Sequence, residues 1–258
     1  MSLFLPENEA AALRGRFESV LARLAKAAAA SGRKAEDIRL IAISKTHPSP
    51  VTAELAALWS AGTYGSTPVF GENYVQEAVQ KQTETASLLL KRCGPTYTAP
   101  EWHFTGHVQS RKAKDVTGRF TLIHTLDSEK LAMQISKSVI ENNLGCQEVL
   151  VQINIGEEPQ KSGVYPEDAE KLLTAVLQIK EVRITGLMCL PPNFDDAETS
   201  RPYFTKLRAL RDALRQNCGI PLPHLSMGMS HDCEAAIEEG ATMVRIGTDI
   251  FGERAPKA

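Results

Sequence analysis

Short apolar runs alternate along this chain with longer segments in which apolar residues recur at helical spacing. The runs have the length and β-branched content of strands that are buried on both faces. They lie at residues 40–43, 67–71, 102–107, 120–126, 148–155, 182–190, 223–229 and 242–250. The helical segments lie at residues 7–30, 51–61, 75–90, 109–115, 129–141, 166–180, 197–217 and 231–239. This strict alternation predicts an α/β fold with a parallel sheet.

Eight strands in 258 residues, without a long linker, predict a single-domain (β/α)8 TIM barrel. We assign the domain to residues 1–258, with the barrel at 38–252 and an extra covering helix at 7–30. An open doubly wound sheet is the alternative. It is disfavoured because no glycine-rich dinucleotide motif follows the first strand.

Composition and charge exclude several function classes. The 29 basic residues are balanced by 31 acidic ones without a basic run, so nucleic acid is not an expected partner. No apolar run approaches the ~20 residues that a membrane span needs, and the acidic N-terminus has no secretory leader pattern. The five cysteines are odd in number and never spaced Cys-x-x-Cys, which predicts a reducing, cytoplasmic location.

Lys45 follows the first apolar run with only Ser44 in between. A lysine held at the mouth of a buried strand tends towards the neutral amine, because burial disfavours the ammonium form. A neutral amine can attack a carbonyl group. The alternative is that Lys45 is an ordinary solvated residue after a strand, and the choice depends on whether the other strand ends supply a ligand.

In a barrel the carboxyl ends of all strands meet at one rim, and two neighbouring strand ends there suit a phosphate. Ser230 precedes the predicted helix at 231–239, where a hydroxyl and free backbone N–H groups can meet an anion. Gly247 and Thr248 lie near the end of the eighth predicted strand and offer an accessible backbone and a second hydroxyl. Taken singly, Ser230 could be a helix cap and Gly247 a turn residue, but their pairing favours phosphate binding.

Arg245 lies within the apolar run 243–246, where a permanently charged guanidinium needs an acceptor. One interpretation is an ion pair with Asp249 or Glu72. A heterocyclic nitrogen is the other possible acceptor, and a cation beside it would keep that nitrogen unprotonated. A phosphate site, an imine-forming amine and a cation for a ring nitrogen together predict pyridoxal 5′-phosphate (PLP), held as a Schiff base on Lys45.

Eight segments resemble the pyridoxal phosphate homeostasis protein family, which is similar to the N-terminal barrel of alanine racemase and of ornithine-type decarboxylases. The segments are AISKT (42–46), FGENYVQE (70–77), WHFTGH (102–107), VQINI (151–155), KSG (161–163), GLM (186–188), LSMGMS (225–230) and VRIGT (244–248). The resemblance runs from about residue 38 to Arg254. It implies that Lys45 carries the cofactor, that Ser230, Gly247 and Thr248 hold its phosphate, and that Arg245 faces the pyridine nitrogen. It also implies that Asn73, Ser226 and Met227 line the pocket.

The resemblance implies a vitamin B6 function: intracellular PLP homeostasis, in which the protein buffers PLP and delivers it to PLP-dependent apo-enzymes without appreciable turnover. The alternative is a monodomain amino-acid racemase with Lys45 on one face and His107 or Tyr74 on the other. A metal-dependent hydrolase is not expected, because the six histidines include no His-x-His pair. We expect a monomer rather than a dimer. The chain departs from the family at Arg111, where asparagine is usual, and at residues 63–67. Because Arg111 would lie near the rim, a second anion site there could differ from that of the family.

Overall fold

The fold is a closed barrel of eight parallel strands in a computed structural model that describes residues 5–61 and 67–253. The strands are β1 (Arg39–Ile43), β2 (Val69–Glu72), β3 (Glu101–Phe104), β4 (Leu122–Leu126), β5 (Gln147–Ile153), β6 (Val182–Cys189), β7 (His224–Met229) and β8 (Met243–Ile246). Each pairs with its neighbours in sequence, and β8 pairs with β1. The predicted (β/α)8 barrel is therefore confirmed, and the open sheet is wrong.

Helices connect the strands and surround the barrel. They are α1 (Glu7–Ala30), α2 (Ser49–Ala61), α3 (Val75–Cys93), α4 (Ala113–Val116), α5 (Glu129–Glu141), α6 (Ala169–Val176), α7 (Arg201–Cys218), α8 (Cys233–Glu238) and α9 (Thr248–Phe251). Short 3₁₀ turns lie at Ala35–Asp37, Ser110–Lys112, Pro166–Asp168 and Ala197–Ser200. The predicted extra N-terminal helix and the helix at 129–141 have the predicted ends, and Ser128 caps the latter by accepting a hydrogen bond from the Leu131 N–H.

Several predicted boundaries differ from the structure. The eighth strand ends at Ile246 rather than at 250, because the chain turns at Gly247 into α9. The predicted basic helix at 109–115 is a 3₁₀ turn followed by the single turn α4, and the predicted helix at 166–180 ends at Val176. The atypical segment 63–67, apart from Thr67, and Arg254 lie outside the described residues.

Alternating side chains divide the apolar residues into two layers. An inner cluster fills the barrel with one residue from each of six strands: Ile41, Val69, Leu122, Leu150, Met188 and Met243. The intervening residues, such as Leu40 and Ala42 on β1, belong to the larger core between sheet and helices. This period of two assigns every strand residue to one face or the other.

The helix α1 covers the seam where β8 meets β1. Its buried residues Leu13, Phe17, Val20 and Leu24 recur at helical spacing, and α1 contacts α8 and α9. The Phe17 ring lies 5.0 Å from the Trp59 ring of α2. The covering helix is thereby packed beside the loops that follow β7 and β8.

We predict that Gly186→Ala destabilises the barrel. A Cβ at Gly186 would overlap the carbonyl oxygen of His224 on β7 and lie 2.7 Å from its carbonyl carbon, and backbone atoms cannot rotate away. The free energy of unfolding, measured by urea titration, should fall by about 1–3 kcal/mol.

Gly15→Ala is the matched control, because Gly15 is exposed in α1 and a Cβ there meets no atom within 4 Å. This change should raise the free energy of unfolding by roughly 0.5–1 kcal/mol through helix propensity. Equal effects of the two substitutions would contradict the close approach of β6 and β7.

Candidate functional site

The mouth of the barrel holds a cavity of about 490 Å³ at the carboxyl ends of the strands. Lys45 reaches it because the inward alternation of Ile41 and Ile43 on β1 continues to Lys45, while Ser44 points to the outer layer. The cavity brings together six of the eight predicted site residues: Lys45, Asn73, Ser230, Arg245, Gly247 and Thr248. They come from the ends of β1, β2, β7 and β8.

Ser226 and Met227 do not reach the cavity wall. Ser226 is fully buried inside the barrel, and Met227 packs in the outer core between sheet and helices. The register between β7 and β8 shifts between Ser226 and Met229, and Gly228 has a left-handed φ of 89°. This irregularity turns Met229 into the cavity, whereas Met227 follows the regular alternation to the outer layer.

The helix predicted to start directly after Ser230 begins later, at Cys233. In between, the Asp232 carboxylate accepts a hydrogen bond from the Met229 N–H at 2.7 Å, which closes a turn through Ser230. The prediction that Ser230 immediately precedes a helix is therefore wrong. Ser230 still lines the cavity together with Gly247 and Thr248, as the first residue after β7.

Arg245 is 4% exposed and makes two hydrogen bonds, neither of them to a carboxylate. Its Nη1 donates to Ser226 Oγ at 2.7 Å, and its Nη2 donates to the Cys189 carbonyl oxygen at 2.9 Å. The proposed alternative of an ion pair is not formed, because Glu72 pairs with Lys81 and Asp249 pairs with Arg23. Burial lowers the pKa of Arg245. A buried cation without a carboxylate partner in the described residues thus lines the cavity.

A chain of hydrogen bonds runs behind Arg245 through the barrel interior. Ser226 Oγ lies 2.9 Å from His124 Nδ1, and His124 Nε2 lies 3.0 Å from His103 Nδ1. His103 Nε2 lies 3.8 Å from a carboxylate oxygen of Glu101 at the opposite end of the barrel. These groups connect the cavity to the amino-terminal face of the sheet.

The acceptor at the far end favours one direction of donation along this chain. Arginine can only donate, so Ser226 Oγ accepts from Arg245, but its second lone pair leaves its bond with His124 open to either direction. The Glu101 carboxylate can only accept, so a His103 proton on Nε2 leaves His103 Nδ1 to accept from His124 Nε2, and His124 Nδ1 then accepts from Ser226. Both imidazoles are neutral in this arrangement, and burial lowers the pKa of each. The chain holds the Arg245 guanidinium in one orientation.

Arg23 of α1 joins the two loops that are predicted to hold phosphate. Its Nη2 donates to the Ser230 carbonyl oxygen at 2.9 Å, and its Nε donates to Glu234 at 2.6 Å. Its Nη1 pairs with Asp249, next to Thr248. The sequence pattern places Arg23 on the solvated face of the helix, and only the docking of α1 on α8 and α9 reveals its contacts.

The packing of the protein itself does not require a glycine at position 247. Its φ is −117°, which any residue adopts, and a Cβ there would meet Ile43 at the ordinary contact distance of 3.5 Å. A glycine at this point places backbone without a side chain at the cavity wall. That is the feature that a bound phosphate would need.

Other predicted rim residues lie beside the cavity. His107 Nδ1 is 3.6 Å from an Asp127 carboxylate oxygen, and burial raises the pKa of Asp127. His107 and Lys112 line a neighbouring groove, whereas the exposed Arg111 donates to Gln109 at 3.0 Å.

None of the helices in the described part of the chain combines the length and apolar character that crossing a bilayer requires.

Known proteins resemble the chain over nearly its whole length. The family model for the alanine racemase N-terminal domain matches residues 18–255. The pyridoxal phosphate homeostasis protein of Aquifex aeolicus is 44% identical over 239 residues, covering 93% of this chain and 97% of that protein. PipY of Synechococcus elongatus PCC7942, in a structure with PLP bound, is 31% identical with a TM-score of 0.73, covering 93% of this chain and 100% of that one.

More distant structures share the fold. Alanine racemase from Corynebacterium glutamicum is 16% identical with a TM-score of 0.62, covering 95% of this chain and 61% of that chain. At this identity the likeness concerns the barrel alone.

The buried histidine pair predicts that stability falls on acidification. A histidine whose pKa is lower in the folded than in the unfolded state leaves the unfolded chain with more bound protons below pH ~6.5. The free energy of unfolding should therefore be fully retained above that pH and should fall below it. The slope should be up to about 1.4 kcal/mol per pH unit for each histidine.

The measurement is a series of urea titrations between pH 5 and 8 on wild type and His124→Gln, which keeps a donor and an acceptor but does not titrate. The variant should have the shallower slope. His231→Gln, which removes an exposed imidazole, is the control. A slope reduced as much by this control as by His124→Gln would contradict the assignment.

Proposed function

The chain belongs to the pyridoxal phosphate homeostasis protein family, and we propose that it binds PLP through a Schiff base on Lys45. Its role is then to hold the reactive aldehyde and pass it to PLP-dependent apo-enzymes by transient contact. The observation that carries the proposal is the convergence at one cavity of a lysine amine, two hydroxyl-bearing loops and a buried arginine that has no carboxylate partner among the described residues.

The residues of the cavity fit this cofactor in size and in chemistry. A volume of about 490 Å³ is in the range of small-ligand sites. The aldehyde of PLP condenses with a primary amine with loss of water, which requires no oxidant, metal or further reactant. Lys45 provides the amine on the β1 side of the cavity, and Arg245 lies on the adjacent strand β8.

Each remaining residue has one task in this proposal. Ser230 and Thr248 donate hydroxyl hydrogen bonds to the phosphate, and Gly247 lets the phosphate reach the backbone. Arg245 donates to the pyridine nitrogen and keeps it unprotonated, because a second positive charge beside the guanidinium is unfavourable. Asn73 lines the pocket on the β2 side. Ser226 acts through Arg245, and Met227 only supports the outer core.

A carrier is favoured over the racemase alternative by this electrostatic arrangement. A neutral pyridine nitrogen is a weaker electron sink, and racemisation needs acid–base groups on both faces of the substrate carbanion. The likeness to alanine racemases supports only the shared barrel. We further propose that residues 1–258 form a single domain, that the protein is a monomer, and that it is cytoplasmic. The five cysteines are free thiols, which suits a reducing compartment such as the cytoplasm.

The first test is covalent trapping of PLP on Lys45. Purified protein with PLP should be yellow, should bleach with borohydride, and should carry the reduced adduct on the Lys45 peptide in mass spectrometry. Lys45→Ala should abolish the colour and the adduct. Lys161→Ala is the matched control, because Lys161 lines the same cavity and should not be needed. An adduct on Lys161 with Lys45 unmodified would contradict the proposal.

The second test concerns Arg245. Arg245→Ala removes a charged donor to the ring nitrogen, so the Kd for PLP should rise roughly ten- to a hundredfold. Circular dichroism should show that the barrel remains folded, because the bonds lost in the interior are those to Ser226 and Cys189. An unchanged Kd in a spectrophotometric titration would refute this role of Arg245.

A further inference from the structure

A buried charged cluster lies on the outer face of the sheet, behind Lys45. Glu72, the last residue of β2, is 0% exposed, and Lys81 of α3 is 3% exposed. Lys81 Nζ lies 2.7 Å from Glu72 Oε1 and 2.8 Å from Glu77 Oε1, one helical turn earlier. These three residues, which we term the Lys81 cluster, lie outside the cavity at the barrel mouth.

The Lys81 cluster binds the chain on both sides of Lys45. Before it, Lys81 Nζ donates to the Ser44 carbonyl oxygen at 2.5 Å, and Ser44 Oγ donates to Glu72 Oε1 at 2.6 Å. After it, the Thr46 N–H donates to Glu77 Oε1 at 2.5 Å. The residues that flank Lys45 are therefore held by one ammonium group and its two carboxylates.

The backbone at this point needs such support. Thr46 has a φ of 66°, in the left-handed region that a β-branched residue rarely adopts. Conformations of this kind persist only where surrounding contacts impose them, and they concentrate at functional sites. The hydrogen bond from the Thr46 N–H to Glu77 is a contact that imposes it.

The Lys81 cluster joins α3 to the sheet through buried charges, and burying charges costs free energy. A buried ion pair commonly stabilises a fold no better than apolar residues of the same volume would. Glu72 Oε2 is buried and has no hydrogen-bond partner within residues 5–61 and 67–253, and burial raises the pKa of Glu72 against the opposing effect of Lys81. Stability alone does not account for charges at this position, whereas control of the Lys45 backbone does.

We propose that Lys81, together with Glu72 and Glu77, is a positioning group that sets the Lys45 amine at the distance and angle at which it can add to a carbonyl carbon. This inference rests on the proposed function of Lys45. Lys81 is not among the described residues that line the cavity. It acts through the backbone of Ser44 directly and through that of Thr46 by way of Glu77.

The experiment compares two ligands that share the ring and the phosphate. PLP has the aldehyde, whereas pyridoxamine 5′-phosphate has an amine there and cannot condense with lysine. In Lys81→Met, a loss of orientation should reduce the borohydride-trapped fraction and the affinity for PLP by roughly ten- to a hundredfold. The affinity for pyridoxamine 5′-phosphate should stay within about twofold of wild type, because the phosphate loops and Arg245 are untouched.

Three further variants sharpen the comparison. Lys81→Arg keeps a cation and should restore part of the trapping. Glu77→Ala removes the acceptor of the Thr46 N–H but leaves the buried Lys81–Glu72 pair, so it tests the same effect even if Lys81→Met does not fold. Lys137→Met, which removes the cation of an exposed pair with Glu141 on α5, should change neither ligand's affinity.

The outcomes are distinct. A selective loss for PLP in Lys81→Met or Glu77→Ala supports the inference. An equal loss for both ligands means that the Lys81 cluster only stabilises the fold, and unchanged trapping means that it does not orient Lys45. Either result overturns the inference. Failure of the wild-type protein to form an adduct on Lys45 would instead refute the proposed function itself.

Discussion

The period-two alternation of side chains along β1 determines what this protein can do. Ile41 and Ile43 pack inside the barrel, and the same face continues to Lys45, which reaches the cavity at the rim. A shift of one residue would send the amine into the layer between sheet and helices. The closed pairing of β1 with both β2 and β8 prevents such a shift and brings Arg245 to the neighbouring strand.

Polar groups are buried on both faces of the sheet near this amine. Inside the barrel, Arg245, Ser226 and the two histidines form a chain of hydrogen bonds. Outside it, Lys81 and its carboxylates hold the turn around Lys45. Buried polar groups cost free energy unless they are paired, and the hydrogen bonds within each set offset that cost. Arg23 adds a third tie between the covering helix and the loops after β7 and β8.

The barrel and most of the site could be predicted from the sequence, because apolar periodicity and strand ends are local signals. Lys45, Ser230, Arg245, Gly247 and Thr248 follow from positions at or beside the ends of strands, and the resemblance adds Asn73. The resemblance also implies Ser226 and Met227 at the cavity, but the alternation along β7 places Ser226 inside the barrel and Met227 in the outer core.

Charged residues that act from a distance could not be predicted in the same way. Lys81 and Arg23 lie on helices whose sequences indicate a polar face, and a lysine or arginine there is usually solvated. Several of their partners are far away in sequence: Ser44 for Lys81, and Glu234 and Asp249 for Arg23. Helix docking alone brings them together.

A crystal structure of the protein after incubation with PLP and reduction by borohydride would test the central claim most directly. We predict continuous electron density from Lys45 Nζ to the cofactor, with the phosphate between Ser230 and Gly247–Thr248 and the ring nitrogen within hydrogen-bond distance of Arg245. Density joined to another lysine, or a phosphate bound away from the loops after β7 and β8, would contradict it.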